Sequence, residues 1–305
     1  MKNLPAAAAS VCAFIMLILF PDVAKSAVIG GLETCGKIII PSLFPFFVAV
    51  NLISRLGITA KTSSGSFRNA AFIIGVTGGY PIGASCIAEA VKCGDVSCED
   101  ASKLLIFCNN SGPAFIIGAV GAGVFHSGLV GILLYVSHIL SAYTFGKLFC
   151  KTEADSSASA EIQTDFSSAL VLSVQKSVGA ILNVCGFVIA FSVLISMMNA
   201  GGALNILAGE LSRIFQTELT FSTALITGIF ELGNSISAMQ GLSATPLNMA
   251  LAEFLLGWGG ISVHFQTFSV IADTEIKTAR YVVGRFWIAV LSSMIAYIFA
   301  VILRI

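Results

Sequence analysis

Apolar runs too long for a soluble core decide what this chain can fold into. Nine pieces, at 5–20, 24–56, 69–91, 102–124, 127–149, 166–200, 219–240, 247–271 and 280–304, are rich in Leu, Ile, Val, Phe and Ala. About 20 such residues cross a hydrocarbon core of about 30 Å as a helix. The runs are continuous rather than alternating, which argues against a transmembrane β-barrel. The chain is 56% hydrophobic and 10% charged, against roughly 25% charged in an ordinary soluble domain. The expected fold is all-α and polytopic, a single membrane domain over 1–305, with the lipid bilayer as its first partner.

Lys and Arg together number 16, as do Asp and Glu. No basic patch with aromatic readers offers itself to nucleic acid. There is no HExxH, nucleophile elbow, phosphate loop or CxxC pair, so neither an enzyme nor a cofactor is expected. Cys93 and Cys98 flank a short loop without a second pair or a nearby His, so no metal is expected either. Lys2 and the run from Pro5 to Phe20, followed by "AKSA", have the makings of a signal peptide. Among so many later spans, an uncleaved first helix is the preferred reading.

A polar linker at 150–165, "CKTEADSSASAEIQTD", divides two halves that resemble each other. "FFVAVNLISRLG" (46–57) aligns with "FVIAFSVLISMM" (187–198). "AFIIGVTGGYPIGA" (71–84) aligns with "ALITGIFELGNSIS" (224–237), placing Gly75 on Gly228. "LLIFCNNSGPAF" (104–115) aligns with "AEFLLGWGGISV" (252–263), placing Gly112 on Gly260. The matches keep the same order and bring helix interruptions to corresponding places. We read two pseudo-symmetric repeats, at about 24–124 and 166–271. Duplicated halves with interrupted helices mark transporters, whose sites form at the repeat interface.

Two topologies are compatible with this. If 24–56 and 166–200 each cross once, there are nine spans. Loop 55–68 and the basic residues Lys277, Arg280 and Arg285 then face the cytoplasm, and the acidic linker faces away. Alternatively, Pro41 and Pro45 break 24–56 into a re-entrant hairpin, and Ser173, Gln175, Lys176 and Ser177 mark a second one in 166–200. Seven spans plus two hairpins make the repeats inverted, and this second topology is the one expected.

Candidate site residues lie where polar or helix-breaking residues interrupt apolar runs. In "TGGYPIGA", Thr77, Gly78, Gly79, Tyr80, Pro81 and Gly83 cannot sit in a regular helix, and freed backbone groups in lipid must find protein or a polar cavity. Asn109 and Asn110 point about 100° apart on a helix, so they cannot share one packing seam. With Ser111, Gly112 and the breaker Pro113 they form a second cluster. Glu231, in "IFELGNS" with Asn234, is an acid near a helix centre, and intramembrane acids are usually functional. Lys176 is a candidate partner for it. In "LGWGGISVHFQ", Gly259 and Gly260 loosen the helix beside Trp258, His264 and Gln266. These groups are expected to line opposite sides of one pocket.

"PSLFPFF" (41–47), "GGYPIGA" (78–84), "FCNNSGPAFIIGAVG" (107–121), "FELGNSI" (230–236) and "LGWGGISVHFQ" (256–266) resemble the YlbJ-type sporulation integral membrane proteins, also called SpoVV. These belong to the wider group with nucleoside-recognition, or Gate, domains. The resemblance covers residues 5 to about 303. It implies a bacterial membrane protein of endospore formation that moves dipicolinic acid across the outer forespore membrane. It also implies inverted repeats with re-entrant hairpins, as in concentrative nucleoside transporters. A dianionic substrate would suit half-helix N-termini, with Tyr80 or Trp258 stacking on its ring. Glu231 would then be protonated or paired, and could couple transport to a proton; sodium is the other candidate coupling ion. A nucleoside or other metabolite carrier, or a non-transporting membrane scaffold, are the alternatives. The resemblance leaves a homo-oligomer open.

Overall fold

A computed structural model describes residues 4–56, 66–150 and 165–305, all helices and connections. The first half contains α1 (Leu4–Leu19), α2 (Pro21–Thr34), a π-helical segment (Cys35–Ile39), α3 (Ile40–Arg55), α4 (Ser66–Gly78), α5 (Ile82–Lys92), α6 (Cys98–Cys108), a second π-helical segment (Ala114–Ala122) and α7 (Gly128–Phe149). The second half contains α8 (Phe166–Ala200), α9 (Ala203–Phe215), α10 (Leu219–Phe230), α11 (Leu232–Ala238), α12 (Pro246–Trp258), α13 (Gly260–Ile271) and α14 (Thr278–Leu303). Most of the linker and of loop 55–68 lies outside the described residues.

Among the described residues, α7, α8, the α12–α13 pair and α14 are each long and apolar enough to cross a membrane. Their outward faces are greasy, and their inward faces carry the polar side chains among apolar ones. On α7, Leu129, Ile132, Val136 and Leu140 are exposed, whereas Ser137, His138 and Ser141 are buried. On α14, Trp287, Met294, Ile298 and Ile302 face out, whereas Arg285 and Ser292 face in. Lipid accepts the first set; the second must be satisfied inside the protein. Side-chain caps start several helices: Ser97, Ser127, Asp165 and Thr245 accept from the backbone N–H three residues on.

The two expected hairpins are corrected by the structure. Residues 166–200 form one unbroken helix of 35 residues. The polar residues do not break it, because Ser173 and Ser177 donate to the carbonyls one turn back, Ala169 O and Ser173 O. The first-half counterpart does not fold back either. Gly31 packs on Ile189, Cys35 Sγ donates to Cys185 O, and Asn51 Nδ2 donates to Ser177 Oγ at 3.1 Å. As numbers rise along α2 and α3 they fall along α8, so the two run antiparallel. The π-helical turn at Cys35–Ile39 sits just before Pro41, a position where such bulges absorb an irregular hydrogen-bond ladder. The sharp bend lies instead at Phe20, where 10–19 and 21–39 meet at 101°, the geometry of a broken or re-entrant span.

Four other helices are interrupted. The breaks fall between α4 and α5 at Gly79–Pro81, between α6 and the second π-helical segment at Asn109–Pro113, between α10 and α11 at Glu231, and between α12 and α13 at Gly259. Two belong to each half, at the places the internal matches indicated.

Candidate functional site

The breaks cross each other in pairs, and glycine makes this possible. A Cβ on Gly79 would lie 3.1 Å from Gly112 N, and one on Gly112 would lie 3.2 Å from Gly79 Cα. In the second half a Cβ on Gly260 would meet Gly228 O at 3.0 Å and the amides of Glu231 and Leu232 at 3.2 Å. Gly75 abuts Cys108 of α6, and its aligned residue Gly228 abuts Leu255 of α12. In each half, a glycine of the first helix lies against the second.

Each break strands carbonyls at a helix C-terminus, and side-chain donors inside the protein take them up. Tyr135 donates to Val76 O at 3.0 Å, closing the end of α4. Asn110 Nδ2 donates to Phe107 O at 2.6 Å, and Arg285 Nη1 donates to Ile106 O, closing α6. Trp258 Nε1 donates to Ile229 O at 3.2 Å, closing α10. Tyr80 Oη donates to Leu256 O at 3.2 Å, and Arg285 Nη2 donates to Gly257 O and Tyr80 Oη, closing α12. Arg285 Nη1 also donates to Asn110 Oδ1 at 3.0 Å. Asn109 Nδ2 donates to Thr267 Oγ1 at 2.9 Å and Tyr281 Oη at 3.0 Å, tying the first half to α13 and α14. Asn109 Oδ1 accepts from Ala84 N at the start of α5, so Asn109, Asn110 and Trp258 all serve as internal partners for the broken backbone.

Glu231 is buried and ends α10. Its Oε1 accepts from Gly233 N at 2.9 Å and its Oε2 from Asn234 N at 2.5 Å, so its carboxylate caps α11. The expected pairing with Lys176 is not formed. Lys176 Nζ lies 2.6 Å from Glu89 Oε2 on α5.

A small cavity of about 70 Å³ lies where the breaks meet. The first half gives it Gly79, Tyr80, Ser111, Gly112 and Phe115; the second gives it Glu231, Leu232, Gly233, Val263 and Gln266. The third wall is apolar and comes from Ile38, Ile39 and Leu43 with Val184 and Val188 of α8. Other candidates lie elsewhere. Thr77 faces outward and donates to Ile73 O. Gly78 packs on Ile82, and Gly83 on Cys108 O. Pro81 and Asn234 line two further cavities. His264 is buried edge-on to Trp258, with ring centroids 4.3 Å apart, and among the described residues neither ring nitrogen has a hydrogen-bond partner.

Those further cavities flank the central one. One of about 330 Å³ holds Pro81, Ser85, Glu89, Lys92, Asn51 and, from α8, Lys176, Gly179 and Asn183. Another of about 610 Å³ holds Asp22, Ser26, Asn234 and, from α8, Ser192, Ser196 and Asn199. Along α8 the order is outer cavity, central cavity, outer cavity. From Lys176 to Asn199 the helix rises about 35 Å at 1.5 Å per residue, close to the thickness of a hydrocarbon core.

Three buried groups escaped the sequence reading. Arg285 was counted among loop charges but lies inside α14. His138 and Glu253 sit in long apolar runs, 2.7 Å apart and both fully buried. The signal for Glu253 was the one that flagged Glu231, an acid deep in an apolar run.

The chain is similar to the sporulation integral membrane protein YlbJ of Bacillus subtilis (strain 168). The two are 26% identical over 308 residues, covering 88% of this chain and 76% of that protein. No protein-family model matches the chain. No solved structure matches it.

Proposed function

We propose that this integral membrane protein is a carrier for a small anionic metabolite, with dipicolinic acid in endospore formation as the substrate and the outer forespore membrane as its site of action. The observation that supports transport most is the row of three cavities along α8, with all four helix breaks at or beside the middle one. Broken helices at mid-membrane are costly and are kept where a site needs backbone. Similarity to a sporulation membrane protein supplies the biological setting. The two halves are read as inverted repeats, a reading supported by the antiparallel run of the matched segments in α3 and α8.

An anion is favoured by Lys92 and Lys176 in one outer cavity and by Arg285 directly behind Tyr80. The N-terminus of α13 has no side-chain cap, and Val263 and Gln266 from its first turns line the central cavity. Partial positive charge there suits a carboxylate. One observation favours a second reading. The central cavity is largely apolar and holds a carboxylate of its own, Glu231, which suits an uncharged ring compound such as a nucleoside.

Expression of this chain in B. subtilis lacking YlbJ tests the setting. Spore dipicolinate restored by the wild type supports it; spores without dipicolinate despite inserted protein contradict it. Uptake by proteoliposomes of dipicolinate against a panel of nucleosides separates the two substrate classes.

A further inference from the structure

We propose that the His138–Glu253 pair is the binding site for a coupling proton, and that Ser111 carries its occupancy to the central cavity. The proposal rests on the transport reading only for what the proton is coupled to.

The geometry fixes where protons sit. Ser111 N lies 3.2 Å from His138 Nε2, and a backbone N–H can only donate. Nε2 therefore presents its lone pair, and the ring proton is on Nδ1, 2.7 Å from Glu253 Oε1. A neutral imidazole bridges a helix break to a buried acid. A second proton has one place to go on the ring, Nε2. Added there, it sets N–H against the N–H of Ser111, and that hydrogen bond must open. The Nδ1–H bond to Glu253 survives, with the carboxylate now facing an imidazolium. Among the described residues Glu253 Oε2 has no hydrogen-bond partner, and the imidazole is the carboxylate's hydrogen-bonded neighbour.

Ser111 is placed to transmit the change. It belongs to the interrupted stretch Asn109–Pro113, outside the helical ladder, and it lines the central cavity. Glu231 is less suited, because both its oxygens already cap α11.

The charged groups that face His138 are Glu253 on α12 and Arg285 on α14. The second π-helical segment carries no titratable side chain. On α6, Glu99 and Asp100 lie in the far, first turn, and Lys103 in mid-helix is paired with both. On α7 itself Tyr135 points to Val76 O, and Lys147 is in the last turn. Glu253 and Arg285 balance each other, so a proton on His138 leaves one buried positive charge. An anion in the cavity compensates it. Proton and anion then favour each other's binding, and by linkage the effect is mutual.

The chain has three histidines, which makes the test direct. Protein with 15N-labelled His is reconstituted in liposomes and studied by solid-state NMR at about pH 8 and about pH 5, the range where histidine titrates. His126→Gln and His264→Gln leave His138 as the signal. The expected result is an Nδ1–H tautomer at the higher pH and an imidazolium at the lower, with the imidazolium fraction raised by dipicolinate. Hydrogen exchange of the Ser111 amide, corrected for its intrinsic rate, is expected to quicken at the lower pH in wild type and to lose that dependence in His138→Gln. A neutral His138 at both pH values, with and without dipicolinate, overturns the proposal. So does a Ser111 amide equally protected throughout, or one whose pH dependence persists in His138→Gln. The wild-type measurements decide even where a variant does not fold. If liposomes carry no dipicolinate yet these changes occur, the substrate reading fails and the proton site stands.

Discussion

Arg285 gives its Nη donors to acceptors from both halves of the chain: Ile106 O, Asn110 Oδ1, Tyr80 Oη and Gly257 O. Arg285→Met keeps the apolar stem and removes every donor, so Ile106 O and Asn110 Oδ1 lose the bonds from Arg285 and Gly257 O keeps only the one from Tyr80 Oη. Each loss costs about 1–3 kcal/mol, so a loss of at least about 3 kcal/mol is expected in denaturant unfolding in detergent micelles. Arg285→Lys should recover little, because an ammonium cannot reproduce the planar fork. A Met variant as stable as wild type would contradict this account. The sequence hid Arg285 because a charge in the second turn of a long apolar run looks like a flanking residue. It marked Asn109 and Asn110 correctly as unusual, but amides that repair a broken backbone and amides that bind a ligand look alike in one dimension.

Helix contacts explain which glycines matter. A Cβ on Gly75 would fall 1.6 Å from Cys108 O, and no rotamer relieves a clash with backbone. Gly75→Ala should therefore cost about 1–3 kcal/mol, whereas Gly36→Ala, with nothing within 4 Å, should be neutral or stabilising. Melting temperatures of the two variants in the same detergent check this; equal effects would contradict it. Between α5 and α8 the pair Lys176–Glu89 is about one-third exposed on each side. A double-mutant cycle should give a coupling below about 1 kcal/mol, which leaves Lys176 free for a role in the cavity it lines. The interruptions at Gly79–Pro81, Asn109–Pro113, Glu231 and Gly259 were legible because Gly, Pro and polar residues inside lipid-length runs have few other uses. The continuity of α8 was not legible. Hydroxyls that bond back to their own helix satisfy themselves locally, and nothing in the sequence distinguishes them from hydroxyls at a break.

At the scale of the molecule, three cavities follow α8, and the middle one is lined by elements of both halves. The membrane class follows from apolar length; that the breaks cross within each half depends on contacts such as Gly79 with Gly112. The antiparallel path of α2 and α3 along α8 depends on contacts such as Gly31 with Ile189, which only the folded chain supplies. If the middle cavity is the substrate site, filling it must stop flux without unfolding the protein. Val188 lines that cavity and faces lipid on neither side, being buried at 3% exposure. The decisive measurement is dipicolinate flux into proteoliposomes holding wild-type protein or Val188→Trp, each shown to be folded by its melting transition. The account predicts saturable flux with wild type and its loss in Val188→Trp. Wild-type flux no greater than in empty liposomes, or undiminished flux in folded Val188→Trp, would contradict it.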